Sequence, residues 1–367
     1  GRHIEAAENM LSHMIKCYNA GDESVKPDCF TFNSVINAWT RSRRKNCEKK
    51  AEAILAKFLE FHYNGNPDII PNSKSFSHII DTYSRSREPD AAARAEKLLL
   101  QMIKLYINGY KEVAPPIFCF TNIINAYSKT VHPDAGRNAE RIMKYCIDLC
   151  RDHKIKGLIP NTFLLNNVLH AWSQSDDPNS GESAEALLLD MEKQFDEEGK
   201  FEMKPNTKTY VSVLVAWGRS KSPEKAKRAK IILDRMDTVS VAESRNKMKN
   251  ENVCKTVPCY NFVINAAAFT DETIPIDQRM EAFDVATATL EELLQSNKLK
   301  PDSNSFALYI KACGKLALPS HIVQPAMEKA FNTCKQLGLD SEYVLNQLHY
   351  ARKIIQEQNE ANNHSEI

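Results

Sequence analysis

In residues 29–42 the large apolar side chains Phe32, Val35, Ile36 and Trp39 form one series, with Asn33, Ser34 and Asn37 among the residues between them. The spacing i, i+3, i+4, i+7 predicts a helix with one buried face. The pattern returns from Ser73, Ile117, Thr162, Thr207, Val257 and Ser303, and a degenerate eighth copy begins near Ser341. From Cys29 onward the starts lie 44, 44, 45, 45, 50, 46 and 38 residues apart. A period of this size predicts a stack of supersecondary units, each covering the apolar face of its neighbour.

Each unit predicts two helices. In the first, a small residue (Ala38, Thr82, Ala126, Ala171, Ala216, Ala266, Ala312) would let a second helix approach closely. The aromatics after it, Trp39, Tyr83, Tyr127, Trp172 and Trp217, read as core. Polar turns follow: Glu88-Pro89-Asp90, His132-Pro133-Asp134, Asp177-Pro178-Asn179 and Ser222-Pro223-Glu224. Ser222 fits an N-cap with proline in the first turn. The second helix opens with Ala51-Glu52, Ala95-Glu96, Ala139-Glu140 or Ala184-Glu185, and with Ala229-Lys230 as a variant. In the sixth unit, where Asp271–Gln278 lengthens the turn, its register is open between Ala282 and Ala286.

The chain therefore reads as all-α, an α-solenoid of helix-turn-helix hairpins. Residues 1–28 hold the second helix of a partial repeat. Seven repeats cover 29–72, 73–116, 117–161, 162–206, 207–256, 257–302 and 303–340, and 341–367 form a degenerate terminal repeat or cap. Residues 237–256 read as a polar insertion, and the polar tail from about Gln358 is expected to fray. The chain opens at Gly1 in mid-pattern and reads as a fragment.

Charge changes this picture little. Lysine and arginine total 48 against 47 acidic residues, so only local placement of charge can indicate an anionic partner. The ten cysteines form no disulfide framework and several recur at apolar positions, as reduced core residues of a cytosol-like compartment would. No run reaches the roughly 18 apolar residues of a membrane span. Cys146, Cys150 and His153 have the spacing of three metal ligands on one helix face, but Cys146 shares the register of Met102 and Met191 and reads as core. Asp176-Asp177 lies in an inter-helix turn. There is no Gly-rich phosphate loop and no nucleophile–histidine pairing, so neither an enzyme nor a cofactor is expected.

The pattern aromatic-Asn-x-aliphatic-Ile-Asn-Ala-aromatic, then Ala-Glu-x-aliphatic-Leu-x-x-Met, then Lys/Ile-Pro-Asp/Asn, resembles the pentatricopeptide repeat, here lengthened from about 35 residues. The tetratricopeptide signature is absent. The resemblance implies a right-handed superhelix that binds single-stranded RNA at about one base per repeat. It assigns base reading to the fifth residue of each first helix together with the residue before the next unit. These pairs are Asn33 with Asn72, Ser77 with Pro116, Thr121 with Asn161, Asn166 with Asn206, Val211 with Thr256, Asn261 with Asp302, and Ala307 with Asp340. The implied sequence is pyrimidine, unassigned, A, pyrimidine, unassigned, U, unassigned.

It also implies that the second residue of each unit wedges between bases: Phe30, Lys74, Phe118, Phe163, Lys208, Pro258 and Asn304. Stacking on bases and packing between repeats remain open for Phe30, Phe118 and Phe163. The thirteenth residue is Arg41, Arg85, Lys129, Gln174, Arg219, Phe269 or Lys315, five of seven cationic. Such cations suit phosphates and equally suit a helix C-terminus. The resemblance further implies action in a mitochondrion or chloroplast on RNA processing, stability or translation, with other RNA-processing proteins as further partners. The alternatives are a protein-binding helical scaffold and the repeat region of a larger RNA-processing enzyme.

Overall fold

A computed structural model describes residues 2–86, 88–129, 134–155, 157–245, 253–270 and 273–365. The His132-Pro133 turn, the 246–252 part of the polar insertion, Asp271 in the sixth turn and Gly1 lie outside the described residues. Among the described residues there are sixteen α-helices and no strand. The first helices of the seven units are α2 (Cys29–Arg41), α4 (Ser73–Arg85), α6 (Ile117–Ser128), α8 (Thr162–Gln174), α10 (Thr207–Arg219), α12 (Val257–Ala268) and α14 (Ser303–Lys315). Their second helices are α3 (Cys47–Tyr63), α5 (Ala91–Ile107), α7 (Ala135–His153), α9 (Ser180–Asp196), α11 (Lys225–Arg245), α13 (Ile276–Gln295) and α15 (Ser320–Gln336). Helix α1 (Arg2–Asn19) precedes them and α16 (Glu342–Ser365) follows.

The chain forms two compact units, residues 1–130 with 137–171, and residues 131–136 with 172–367. In the first, α2 packs on α3 and α4, and α4 on α5 and α6. In the second, α10 packs on α9, α11 and α12, α12 on α13 and α14, and α14 on α15 and α16. Within each unit, α2, α4, α10, α12 and α14 thus touch their own second helix and the helix that opens the next repeat, the contact order of stacked hairpins. The apolar stripe makes the core: Phe32 stacks on Phe58 at 4.3 Å between ring centroids, and Ile36, Phe76, Ile80 and Met102 are fully buried. Both Ala282 and Ala286 face inward from α13.

The Ala-Glu opening of the second helix has a role that the period alone does not reveal. At four junctions its carboxylate accepts a hydrogen bond from the aromatic of the next unit, whereas Trp172, the aromatic that follows the Ala139-Glu140 unit, has a buried Nε1 without a partner. Trp39 Nε1 donates to Glu8 Oε2 at 3.2 Å, Tyr127 OH to Glu96 Oε2 at 2.5 Å and Trp217 Nε1 to Glu185 Oε2 at 2.9 Å; Tyr83 OH donates to Glu52. An arginine of the following second helix closes the last three groups: Arg94 Nη1 to Tyr83 OH at 3.1 Å, Arg141 Nη2 to Glu96 at 2.9 Å, Arg228 Nη2 to Glu185 at 2.6 Å. Where α11 carries Lys230 in place of glutamate, the aromatic position is Ala267, and Lys230 turns to Glu292 at 2.9 Å.

Volume is matched across the same junctions. Gly136 and Gly181 stand where other units carry Glu48, Ala92 or Ala226. A Cβ on Gly181 would meet Trp217 ring carbons at 2.5 and 2.6 Å, and one on Gly136 would meet Trp172 at 2.1 Å. Glycine lies under each of these tryptophans because no other residue fits.

Several expectations change. Ser222 does not cap a helix, because α11 begins at Lys225; its N–H donates to Ser220 Oγ at 3.0 Å, within a turn. The polar tail from Gln358 continues α16 through Ser365. The lengthened tails of the units include short 3₁₀ turns at Glu23–Val25, Lys111–Val113 and Phe201–Met203. Gly65 and Gly109 end second helices at φ 101° and 104°, a left-handed geometry that glycine adopts without strain.

In urea unfolding, Gly181→Ala should lower stability by about 1–3 kcal/mol through overpacking against Trp217. Gly218→Ala, in α10, where an added Cβ would meet no heavy atom within 4 Å, should be neutral or raise stability by up to about 1 kcal/mol. A second outcome concerns Glu292. Burial pushes its carboxyl up, but bonds from Lys230, Lys255 and Tyr260 outweigh burial and hold it down at about 2. A depressed carboxyl contributes stability above its ordinary value of 4.5 and loses that contribution as pH falls toward 2. Glu292→Gln should therefore be less stable than the parent at pH 7, with the gap narrowing by pH 3.

Candidate nucleic-acid interface

The residue before each new unit is the N-cap of the next first helix. Asp28, Asn72, Asn206 and Asp302 each accept from the backbone N–H three residues on, and Thr31, Ser75, Thr209 and Ser305 return a side-chain bond. Asn161 Oδ1 accepts from Leu164 N at 3.0 Å. This capping box has a sequence signal, Asp/Asn-x-x-Ser/Thr, which the repeat reading passes over. The bond from Thr31, side chain first and backbone second, holds the Asp28 carboxyl below its usual range.

The cap joins Asn33 with Asn72 and Asn261 with Asp302. Asn33 Nδ2 donates to Asn72 Oδ1 at 3.2 Å, and Asn261 Nδ2 to Asp302 Oδ1 at 3.1 Å. The two differ in what is left over. Asn261 is buried, and its Oδ1 accepts from Ser305 Oγ at 2.7 Å. Asn33 is half-buried, and its Oδ1 has no partner. Thr121 is buried and donates from Oγ1 to Phe118 O at 3.0 Å within its own helix. Ser77, Asn166 and Ala307 are buried, and Pro116, Val211, Thr256 and Asp340 are half-buried.

The wedge register is exposed in all seven units. Phe30 is 77% exposed, Phe163 62% and Phe118 46%. Packing between repeats therefore does not account for these rings. An open cleft of about 820 Å³ is lined by Phe30, Asn33, Ser34 and Asn37 of α2, by Asn72, and by Lys74 and His78 of α4, among others. On α2 these positions adjoin the stripe that builds the core.

The thirteenth register divides. Arg85 is exposed and pairs with Asp81 of its own helix at 2.9 Å. Lys129 Nζ donates to Ser84 O at 2.7 Å, so it satisfies the end of the preceding first helix. Arg41 and Arg219 are exposed and carry no ion pair among the described residues. Phe269, which breaks the cationic pattern, draws cations instead: Lys311 Nζ lies 3.9 Å and Lys315 Nζ 5.7 Å from its ring centre. Arg219, Lys221, Lys225, Asn265 and Phe269 share a cleft of about 540 Å³.

Cys146 is buried, and burial pushes its thiol up to about 12. Among the described residues no three His, Cys, Asp or Glu side chains are placed to hold a metal ion. Asp177 is buried, and its Oδ1 accepts from Asn179 N at 2.9 Å in the turn before α9.

No family model matches the chain, and no curated protein matches it. It is similar to the crystal structure of the pentatricopeptide repeat protein PPR10 from maize, at 15% identity and a TM-score of 0.24, over 98% of this chain and 61% of that one. The chain thus spans about three-fifths of that protein's length. A TM-score this low is no argument for a shared function.

The cap and any reading role of Asn72 are separable. Asn72→Ala should lower stability in thermal unfolding by about 1 kcal/mol through loss of the N-cap, whereas Asn72→Asp keeps the cap and should stay within a few tenths of the parent.

Proposed function

We propose that this chain binds single-stranded RNA sequence-selectively through the faces of its first helices, as a pentatricopeptide-type repeat protein. The observation that carries the reading is the cleft in the first repeat: an exposed aromatic, Phe30, adjoins an amide pair, Asn33 and Asn72, and a lysine, Lys74. An aromatic offers a stacking surface to any base, an amide offers both donor and acceptor to a base edge, and a cation attracts phosphate. Single-stranded RNA presents all three complements together; a duplex hides its base faces. The recurrence of Phe118 and Phe163 as exposed rings extends the same chemistry along the repeats.

The family resemblance extends the proposal to a mitochondrion or chloroplast and to processing, stability or translation of a transcript. Locating the tagged full-length protein by cell fractionation tests that part.

Fluorescence anisotropy with a random single-stranded RNA pool and a duplex control tests the binding itself. The single strand should bind more tightly than the duplex, and log affinity should fall linearly with log salt. Replacing Phe30, Phe118 and Phe163 by Ala should weaken binding by about 1–3 kcal/mol for each ring that stacks. An unchanged affinity in the triple variant would remove the stacking role and with it the main support for the reading.

A further inference from the structure

Two buried polar atoms without hydrogen-bond partners lie at one place. Among the described side chains only Asn33 Oδ1, His78 Nδ1 and Trp172 Nε1 are buried and unpartnered, and the first two belong to residues that line the same 820 Å³ cleft. An unfilled buried polar atom is destabilising, so native structures keep few, and each calls for a reason. Two in one cleft, beside an exposed aromatic, point to a ligand that fills both.

The next junction shows what a closed version looks like. His78 is the sixth residue of α4, and Asn122 is the sixth residue of α6. Asn122 Nδ2 donates to Asp81 Oδ1, the ninth residue of the preceding first helix, at 3.2 Å. The corresponding ninth residue before His78 is Asn37, which lines the cleft with it. No bond joins His78 and Asn37 among the described residues. The protein closes this juxtaposition at one junction and leaves it open at the one that carries Phe30, Asn33 and Asn72.

We infer that His78 is a third base-contacting residue of the first repeat, hydrogen-bonding the same pyrimidine whose edge Asn33 Oδ1 accepts from. The inference rests on the RNA-binding reading. Asn33 Oδ1 is an acceptor and suits the N3–H of uracil or the N4–H₂ of cytosine. The neighbouring atom of either base, O4 or N3, is an acceptor and takes the ring N–H of His78. Packing alone orients the imidazole, because Nδ1 has no partner in the protein. Burial, then the Arg41 charge, lowers the tendency of His78 to protonate, with Lys74 in the same sense and Asp81 opposing. A neutral ring has one donor and one acceptor, so it discriminates between base edges, which a fixed cation does less well.

The test is in vitro selection from a random RNA pool with the parent protein, His78→Phe, His78→Ala, His78→Gln and Asn33→Ala, read by sequencing. The phenylalanine and alanine variants keep or reduce volume without a hydrogen bond; whichever melts with the parent is scored. The scored variant should lose preference at one position of the recovered motif, roughly three- to tenfold. That position should be the one that Asn33→Ala relaxes, and His78→Gln should restore part of the preference. A motif unchanged by loss of His78, or changed at a position that Asn33→Ala leaves intact, overturns the role of His78 while the RNA reading stands. A parent protein that enriches no motif and retains no RNA overturns both.

Discussion

The junctions that Glu96 and Glu185 occupy depend on a buried carboxylate between consecutive hairpins. A glutamate taken out of water is costly unless its charge is paired and its oxygens are bonded. A tryptophan or tyrosine buried beside it has its own need, since the indole N–H or phenol O–H loses water too. Glu185 and Trp217 meet both needs with one bond, and Arg228 supplies the charge. No member of the group is satisfied within its own hairpin. Hydrophobic stacking alone would tolerate sliding of one unit on the next; this three-part bond admits one register. The substitution of Lys230 together with Ala267 shows the same rule from the other side, since the carboxylate and its aromatic are lost as a pair.

Register is what gives the candidate interface its meaning. Once successive first helices are fixed side by side, the N-cap of one lies beside the fifth residue of the one before. At Asp28, Asn72, Asn206 and Asp302 the cap side chain bonds a free N–H of the helix start, while Pro116 and Thr256 make no such bond. A short polar side chain is therefore present at this place for reasons of folding, and recognition can use the same amide. Asn72 illustrates the overlap: its Oδ1 accepts from Lys74 N and Ser75 N at the helix start and from Asn33 Nδ2 across the junction. Capping and the bond across the junction thus share one oxygen, and Asn33 Oδ1 is left without a partner.

Much of this was legible in the residues, and the reasons differ by element. The starts of α2, α4, α6, α8, α10, α12 and α14 follow from the period because an apolar stripe and a cap recur together. Ser222-Pro223 misled because proline is at home both in a first helical turn and in a β-turn, and the choice between them is made by distant contacts. The Ala-Glu pair was visible as a motif but not as a bond, since its partner lies 31 or 32 residues away, in the next unit. The cations of the thirteenth register look alike in sequence. Their partners separate them: Lys129 is tied to a carbonyl and Arg85 to a carboxylate, while Arg41 and Arg219 stay exposed.

A net charge of +1 looks unfavourable for binding a polyanion, yet the constraint is local. At an ionic strength near 0.1 M charges separated by more than about 10 Å are screened, so a phosphate responds to the side chains beside it. The buried glutamates of the junctions are neutralised by their own arginines and add little field outside. Phe269 shows how the surface then sorts its charge: an exposed ring gathers Lys311 and Lys315 by cation–π attraction, and burial, then the like charge of Lys315, holds the Lys311 ammonium below its usual range. Neutrality of the whole chain is thus compatible with local clusters of cations such as the one at Phe269.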